Sequence, residues 1–230
     1  MRPSCLTSLL VLALLTPSAQ AAATLDDALL LAAPKASKDA IAMAVQAMQC
    51  AERHGMPAAE RLAVIDYSLP STQPRLWVFD LSARALMYQE RVAHGRNSGD
   101  TFAQRFSNLP GSFASSLGLF RTGEAYVGSN GYSLRMDGLE PGINDKARER
   151  AIVIHGADYV SDDFVQSTGR IGRSLGCPAV RQGVAHALID SLQGGQFVFS
   201  YYPDRQWLAR SRLVHCQGGA SLQTVAAAAP

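Results

Sequence analysis

The chain has 230 residues, of which 47% are hydrophobic and 17% are charged. This length and composition are typical of one globular domain with a short appendage, and they exclude a chain that is disordered throughout. The formal net charge is only +2, which is too small to predict a nucleic-acid-binding surface.

The first residues have the pattern of a secretory signal peptide. Arg2 supplies a positive charge, residues 6–15 are almost continuously apolar, and residues 19–21 (Ala-Gln-Ala) match the small-x-small cleavage pattern. A membrane anchor is the alternative, but the apolar run is only half of the ~20 residues that a span needs. We therefore expect a signal peptide at residues 1–21, export to the periplasm or cell envelope, and no transmembrane segment after its removal.

The next segment, residues 22–60, is predicted to be an N-terminal helical region. Residues 39–50 carry apolar side chains at helical spacing, and Gly55 and Pro57 end the pattern. We expect this region to pack against the rest of the chain and to take no part in chemistry.

Strand patterns begin at residue 61. Runs rich in β-branched and aromatic residues predict strands at residues 62–67, 76–81, 86–89, 91–94, 152–156 and 196–202. The Gly-, Ser- and Asn-rich stretch 95–142 predicts hairpins and long loops, and residues 184–192 predict a helix. We expect a mainly β fold with helices (α+β), forming a curved sheet or β-sandwich over residues 61–207, followed by a C-terminal tail at residues 208–230.

Three cysteines remain once Cys5 leaves with the signal peptide. An odd number of thiols in an oxidising compartment leaves one without a disulfide partner. If Cys177 is reserved for chemistry, then Cys50 and Cys216 become candidates for a disulfide. The sequence does not establish that these two lie within bonding distance.

Two segments carry the residue types that nucleophilic catalysis needs. His155 ends an apolar strand and precedes Gly156, and Cys177 lies in Gly-Arg-Ser-Leu-Gly-Cys-Pro-Ala at residues 172–179. A cysteine nucleophile requires a base within hydrogen-bond reach and backbone donors for the oxyanion. Each residue alone favours a structural interpretation, since a lone cysteine is more often a small buried apolar residue. His94 is likewise interpreted as structural.

Together the two segments resemble the L,D-transpeptidase superfamily, whose pattern is His, a spacer, then Ser/Thr-His-Gly-Cys. With Leu175 in place of the second His, the chain is more similar to the murein L,D-transpeptidase catalytic-domain branch. The resemblance extends over residues 61–207 and implies an L,D-transpeptidase-like catalytic domain there. Further matching segments are residues 64–68, 76–81, 92–95, 105–108, 110–112, 115–118, 132–134 and 138–140.

The resemblance implies a role for each site residue. Cys177 attacks the carbonyl of the diamino acid in a tetrapeptide stem, His155 takes the thiol proton, and the carbonyl of Gly156 orients the imidazole. The backbone N–H of Cys177, with that of Gly176 or Leu175, forms the oxyanion hole. The substrate-binding candidates are Arg173, Ser174 and Tyr132.

The implied substrates are peptidoglycan stem peptides, with carbapenems as inhibitors. No metal-ligand spacing and no phosphate-binding loop is evident, so no metal or cofactor is expected. Two alternatives stay open: an L,D-carboxypeptidase or amidase that uses the same site, and an inactive wall-binding module. The acceptor amine, the stem diamino acid and the oligomeric state are not determined by the sequence.

Overall fold

The computed structural model describes residues 23–216, so the predicted signal peptide at residues 1–21 and the Ala-rich end of the chain lie outside the described residues. The helices in this range are α1 (Leu25–Ala32), α2 (Lys38–Arg53), α3 (Asp162–Thr168), α4 (Gln182–Leu192) and α5 (Arg205–Arg210). The strands are β1 (Arg61–Asp66), β2 (Leu76–Asp80), β3 (Ala85–Glu90), β4 (Gly118–Gly128), β5 (Gly131–Gly138), β6 (Val153–Gly156), β7 (Ala179–Val180) and β8 (Phe197–Tyr201). Within residues 23–216, every helix is too short or too polar to cross a bilayer.

The strands form one mixed sheet in the order β3-β2-β1-β8-β4-β5-β6-β7. Two neighbouring pairs, β1 with β8 and β6 with β7, are parallel, and the others are antiparallel. The two ends of the sheet also meet, because Ala93, three residues beyond β3, forms an antiparallel bridge with Ala179 in β7. The sheet is therefore strongly curved, and the expected mainly β fold with helices is confirmed.

The core lies between the curved sheet and the helices that cover it. α2 packs against β1 and β8 with the apolar stripe that its sequence predicts, and Ile41, Val45 and Met48 of this stripe are all buried. α4 contacts β5 and β6. The N-terminal helices share one apolar cluster with the strands, which agrees with the packing role expected for them. The boundary at residue 60 stays a prediction.

The predicted strand at residues 91–94 is wrong. Only Ala93 forms a bridge there. The carbonyl of Val92 instead accepts hydrogen bonds from Nε and Nη2 of Arg75, at 3.1 and 2.8 Å. Because the buried side chain of Arg75 donates to this carbonyl, the carbonyl does not take part in the hydrogen-bond ladder of a regular strand.

The loop-rich stretch 95–142 contains one long hairpin, formed by β4 and β5. Its turn is Ser129-Asn130, and Gly128 pairs with Gly131 across it. The tip of this hairpin reaches the candidate site described below.

A disulfide joins the N-terminal helices to the far end of the described chain. Cys50 of α2 is bonded to Cys216, with a Cα–Cα distance of 5.3 Å. Leu213 and Val214 just before it are buried. The described part of the predicted tail, residues 208–216, is therefore attached to the core.

Candidate active site

The parallel pairing of β6 and β7 brings His155 and Cys177 to one place. His155 is the register partner of Ala179, and Cys177 lies two residues before Ala179. Side chains two apart in an extended chain point to the same face. Both residues line one open cavity of about 600 Å³.

His155 is held as a neutral base. Its Nδ1 lies 2.8 Å from the carbonyl oxygen of Gly156, and a carbonyl only accepts, so Nδ1 carries the hydrogen and Nε2 is left with a free lone pair. Burial lowers the pKa of His155, and the bond to Gly156 opposes that shift. Glycine is required at position 156, since a Cβ there would lie 2.1 Å from Oε1 of Gln182 and 2.8 Å from Cβ of Ala185.

Cys177 is the free cysteine of residues 23–216, and only 8% of it is exposed. Its thiol donates to the carbonyl of Ala151 at 3.6 Å. Burial raises the pKa of the thiol, and the N–H of Val153 and the positive charge of Arg150 oppose the rise. Ala151 has φ +52°, a left-handed conformation that is uncommon for a residue with a Cβ.

The loop before Cys177 is fixed by Ser174. Its hydroxyl accepts from the N–H of Gly176 at 3.1 Å and donates to the carbonyl of Cys177 at 2.6 Å. Of the three amides predicted for an oxyanion hole, that of Gly176 is thus used inside the loop, which leaves those of Leu175 and Cys177. Gly176 has φ +128°, and a Cβ there would lie 2.9 Å from Cδ1 of Ile152.

Ser115 orients the peptide that precedes Cys177, a role that the sequence did not predict. It is buried, accepts from the N–H of Gly95 at 3.0 Å and donates to the carbonyl of Gly176 at 3.1 Å. In a trans peptide the C=O and N–H point in opposite directions. The N–H of Cys177 therefore points away from Ser115. Position 115 lies in a segment that matches the family pattern, but a single serine has no local signal for this contact.

Four further predicted residues also line the cavity: Gly156, Arg173, Ser174 and Leu175. Arg173 donates to the carbonyl of Gly99 at 2.9 Å and lies 3.3 Å from the carboxylate of Asp100. Its charge is therefore partly neutralised. Leu175 is 56% exposed and presents an apolar surface beside Cys177.

Tyr132 is placed against α4. Its hydroxyl donates to Asp190 at 2.6 Å, and its ring stacks on that of His186 with centroids 4.2 Å apart. The cavity is lined instead by the adjacent hairpin tip, residues 129–131. This placement gives the predicted substrate contact of Tyr132 no support.

His94 is fully buried beneath the site. Nη2 of Arg75 donates to its Nδ1 at 2.7 Å, and burial, with the charge of Arg75, lowers the pKa of His94 to about 3. The carbonyl of His94 accepts from the N–H of Ser174 at 3.0 Å. The residue supports the nucleophile loop through its backbone, in keeping with the structural interpretation.

One group of metal-ligating side chains is found within residues 23–216, formed by Cys50, His54 and Cys216. The two sulfurs of this group are joined in the disulfide. A disulfide sulfur is not the thiolate that binds a metal, so this group does not fit a metal ion in the oxidised protein.

A family model described as the L,D-transpeptidase catalytic domain matches residues 32–201. No curated protein matches the chain.

Three solved structures are similar at low identity. An L,D-transpeptidase from Mycobacterium smegmatis is 15% identical over 63% of this chain and 60% of that one, with a TM-score of 0.39. The helical cell shape determining protein Pgp2 from Campylobacter jejuni is 12% identical over 75% and 61%, with a TM-score of 0.42. An L,D-transpeptidase from Stackebrandtia nassauensis is 12% identical over 79% and 90%, with a TM-score of 0.39. The chain thus spans about three-fifths of the length of the first two, and the family assignment rests on the family model alone.

Proposed function

The chain belongs to the family of L,D-transpeptidase catalytic domains, and on this premise we propose that it is a peptidoglycan L,D-transpeptidase with Cys177 as its nucleophile. The observation that carries the proposal is the placement of Cys177 and His155 on one open cavity, with His155 oriented by the carbonyl of Gly156. This constellation has the nucleophile, base and orienting group of a catalytic triad.

In the proposed reaction, Nε2 of His155 takes the thiol proton as the sulfur of Cys177 attacks the stem carbonyl. The N–H groups of Cys177 and Leu175 stabilise the oxyanion. The bond to the terminal D-amino acid breaks, its nitrogen leaves with the proton from His155, and a thioester remains on Cys177. An amine of a second stem then attacks the thioester, His155 accepts its proton, and an amide crosslink forms as the thiol is restored.

Arg173 and Ser174 have separate parts in this proposal. Ser174 uses both of its hydrogen bonds inside the loop, so we assign it to positioning of Cys177. Arg173 lines the cavity and keeps one carboxylate partner, and we assign it to the carboxylates of the stem peptide.

We also propose that the protein works outside the cytoplasm, in the periplasm or cell envelope. Two features support this location: the signal-peptide pattern at residues 1–21 and the disulfide between Cys50 and Cys216, a bond that persists in oxidising compartments. Peptidoglycan stems would be within reach there.

The test is a mass spectrum of the products formed from a tetrapeptide muropeptide. A crosslinked dimer together with the released D-amino acid is expected, and both should disappear in C177A. Release of the D-amino acid without any dimer would replace the proposal with an L,D-carboxypeptidase. Binding to peptidoglycan without either product would replace it with a wall-binding module.

A further inference from the structure

Arg150 is a second cation close to Cys177, and unlike Arg173 it is not among the residues that line the cavity. It directly precedes Ala151, whose carbonyl accepts the thiol hydrogen bond. Its Nη2 lies 3.5 Å from the point that a Cβ on Gly176 would occupy. The guanidinium therefore lies next to Gly176, on the side of the backbone where a Cβ would point. We call this side the back of the Gly176–Cys177 peptide.

The guanidinium of Arg150 binds one loop only, residues 107–116. Its four hydrogen bonds go to the carbonyl of Ser107 at 2.6 Å, the hydroxyl of Ser116 at 2.5 Å, the hydroxyl of Ser112 at 3.1 Å and the carbonyl of Ala114 at 2.6 Å. The same carbonyl of Ala114 lies 3.0 Å from the Cβ point of Gly176. Loop 107–116 is thus held against the back of the nucleophile loop.

The charge of Arg150 also lacks a carboxylate partner within residues 23–216, where all four of its hydrogen-bond acceptors are neutral oxygens. Arg173, by contrast, shares the carboxylate of Asp100. A guanidinium keeps its charge at any pH at which the protein is folded. A half-buried charge is also screened less by salt than an exposed one.

We propose that Arg150 is a positioning residue for acyl transfer, which holds loop 107–116 behind the Gly176–Cys177 peptide and stabilises the thiolate of Cys177. When the thiol proton moves to Nε2 of His155, the sulfur gains a negative charge within reach of the guanidinium. The role in acyl transfer rests on the proposed function, whereas the role in thiol acidity does not. Burial opposes ionisation of Cys177, and the charge of Arg150 offsets part of that cost.

Alkylation of Cys177 by iodoacetamide as a function of pH tests the electrostatic role without any peptidoglycan substrate. The thiolate displaces iodide, and tryptic peptide 174–181 reports Cys177 alone. In R150Q we expect the midpoint to move to higher pH and the rate at neutral pH to fall about tenfold, as for the loss of an adjacent opposite charge. The matched control is R148Q, because Arg148 lies two residues away and pairs with Asp137 and Glu124; its profile should equal that of the wild type.

The Arg150→Lys variant separates charge from positioning, because lysine keeps the charge but not the planar fork of donors. Its alkylation midpoint should remain that of the wild type. Its maximal rate of acylation by a carbapenem should fall, while the carbapenem concentration that gives half of that rate should change little. If circular dichroism shows that R150Q does not fold, R150K still decides the positioning role, and a wild-type maximal acylation rate would refute it.

Two results would overturn the electrostatic role: an R150Q midpoint equal to that of the wild type, or an equal shift in R148Q. If wild-type protein forms no crosslinked dimer, the proposed function fails, but the alkylation result still stands.

Discussion

At the scale of single residues, the catalytic pair rests as a neutral thiol and a neutral imidazole. Burial raises the pKa of Cys177 and lowers that of His155, so both shifts oppose a thiolate–imidazolium pair. The thiol hydrogen is directed at the carbonyl of Ala151. In the proposed mechanism, the proton therefore moves to His155 only after the thiol rotates towards it.

Because both side chains are neutral at rest, we expect H155A to affect acyl transfer and the alkylation of Cys177 differently. Acyl transfer should fall at least about 100-fold, because general-base catalysis is lost. The pH profile of iodoacetamide alkylation at Cys177 should change little, because His155 does not hold the thiol as a thiolate in the resting protein. H186A, which alters an exposed imidazole, is the control for both assays. A rise of one unit or more in the alkylation midpoint of H155A would show that an ion pair exists after all.

His94 predicts a loss of stability on acidification. Its pKa is about 3 in the folded protein and 6.5 when unperturbed, so the unfolded chain binds a proton between these values while the folded chain does not. Stability is therefore present above pH 6.5 and is lost as the pH falls. Between pH 7 and pH 5, titration of His94 lowers the free energy of unfolding of the wild type by about 2 kcal/mol. In urea unfolding, H94Q should therefore lose about 2 kcal/mol less than the wild type over the same interval.

The control for this measurement is the interval above pH 7, where His94 is neutral in both the folded and the unfolded chain. There the unfolding free energies of H94Q and the wild type should change in parallel. If H94Q and wild type lose the same stability between the two pH values, His94 is not the group that titrates.

At the scale of elements, the site is a place where two loops meet the end of β6. Loop 172–179 supplies the nucleophile, loop 107–116 supports it from behind, and the turn before β6 supplies both Arg150 and Ala151. Ser115 joins the two loops through the carbonyl of Gly176. Small residues at the junction allow the backbones to approach this closely.

Gly176 is the junction residue most sensitive to substitution. G176A introduces a Cβ 2.9 Å from Ile152 and 3.0 Å from the carbonyl of Ala114, at φ +128°. We expect a loss of unfolding free energy of more than about 2 kcal/mol and carbapenem acylation reduced at least about 100-fold. G194A is the matched control, because Gly194 has φ +77° but nothing within 4 Å of its Cβ point and lies outside both loops of the site, so it should cost only about 1–2 kcal/mol and leave acylation unchanged. Equal losses of unfolding free energy and of acylation rate in the two variants would contradict this role of Gly176.

The sequence predicts the local parts of this site and misses the parts made by tertiary contacts. His155, Gly156 and Cys177 belong to short motifs, so their proximity was expected from the resemblance alone. Arg150 and Ser115 act through contacts 34 to 61 residues away in the chain, and nothing in their local sequence marks those contacts. The strand predicted at residues 91–94 failed for the same reason, because the buried guanidinium of Arg75 takes the carbonyl of Val92.

At the scale of the whole molecule, the sheet curves until its two ends meet near the site. The bridge between Ala93 and Ala179 joins the segment after β3 to β7, and Arg181 pairs with Glu90 across the same junction at 2.8 Å. β7 is the strand that follows Cys177 in the chain. Curvature of the sheet thus determines where the loop that carries Cys177 lies, while α2, which the disulfide joins to the C-terminal segment, packs against the central strands β1 and β8.

The disulfide predicts a stability effect that is separate from catalysis. Cys50 and Cys216 are separated by 166 positions in the chain, and a bridge that closes so long a loop contributes about 2–5 kcal/mol. The double variant C50A/C216A, in which neither disulfide partner is left as an unpaired thiol, should lose this much unfolding free energy by urea denaturation. Below its transition it should retain the wild-type rate of alkylation at Cys177. Unchanged stability would show that the described C-terminal segment is held by packing alone.

The most direct test of the central claim is whether Cys177 forms a covalent acyl adduct. Purified protein is incubated with a carbapenem, digested with trypsin and analysed by mass spectrometry. We expect one added carbapenem on peptide 174–181 of the wild type, none in C177A, and slower formation in H155A. An adduct that persists in C177A, or wild-type protein that forms no adduct at any pH at which it is folded, would contradict the assignment of Cys177 as the nucleophile.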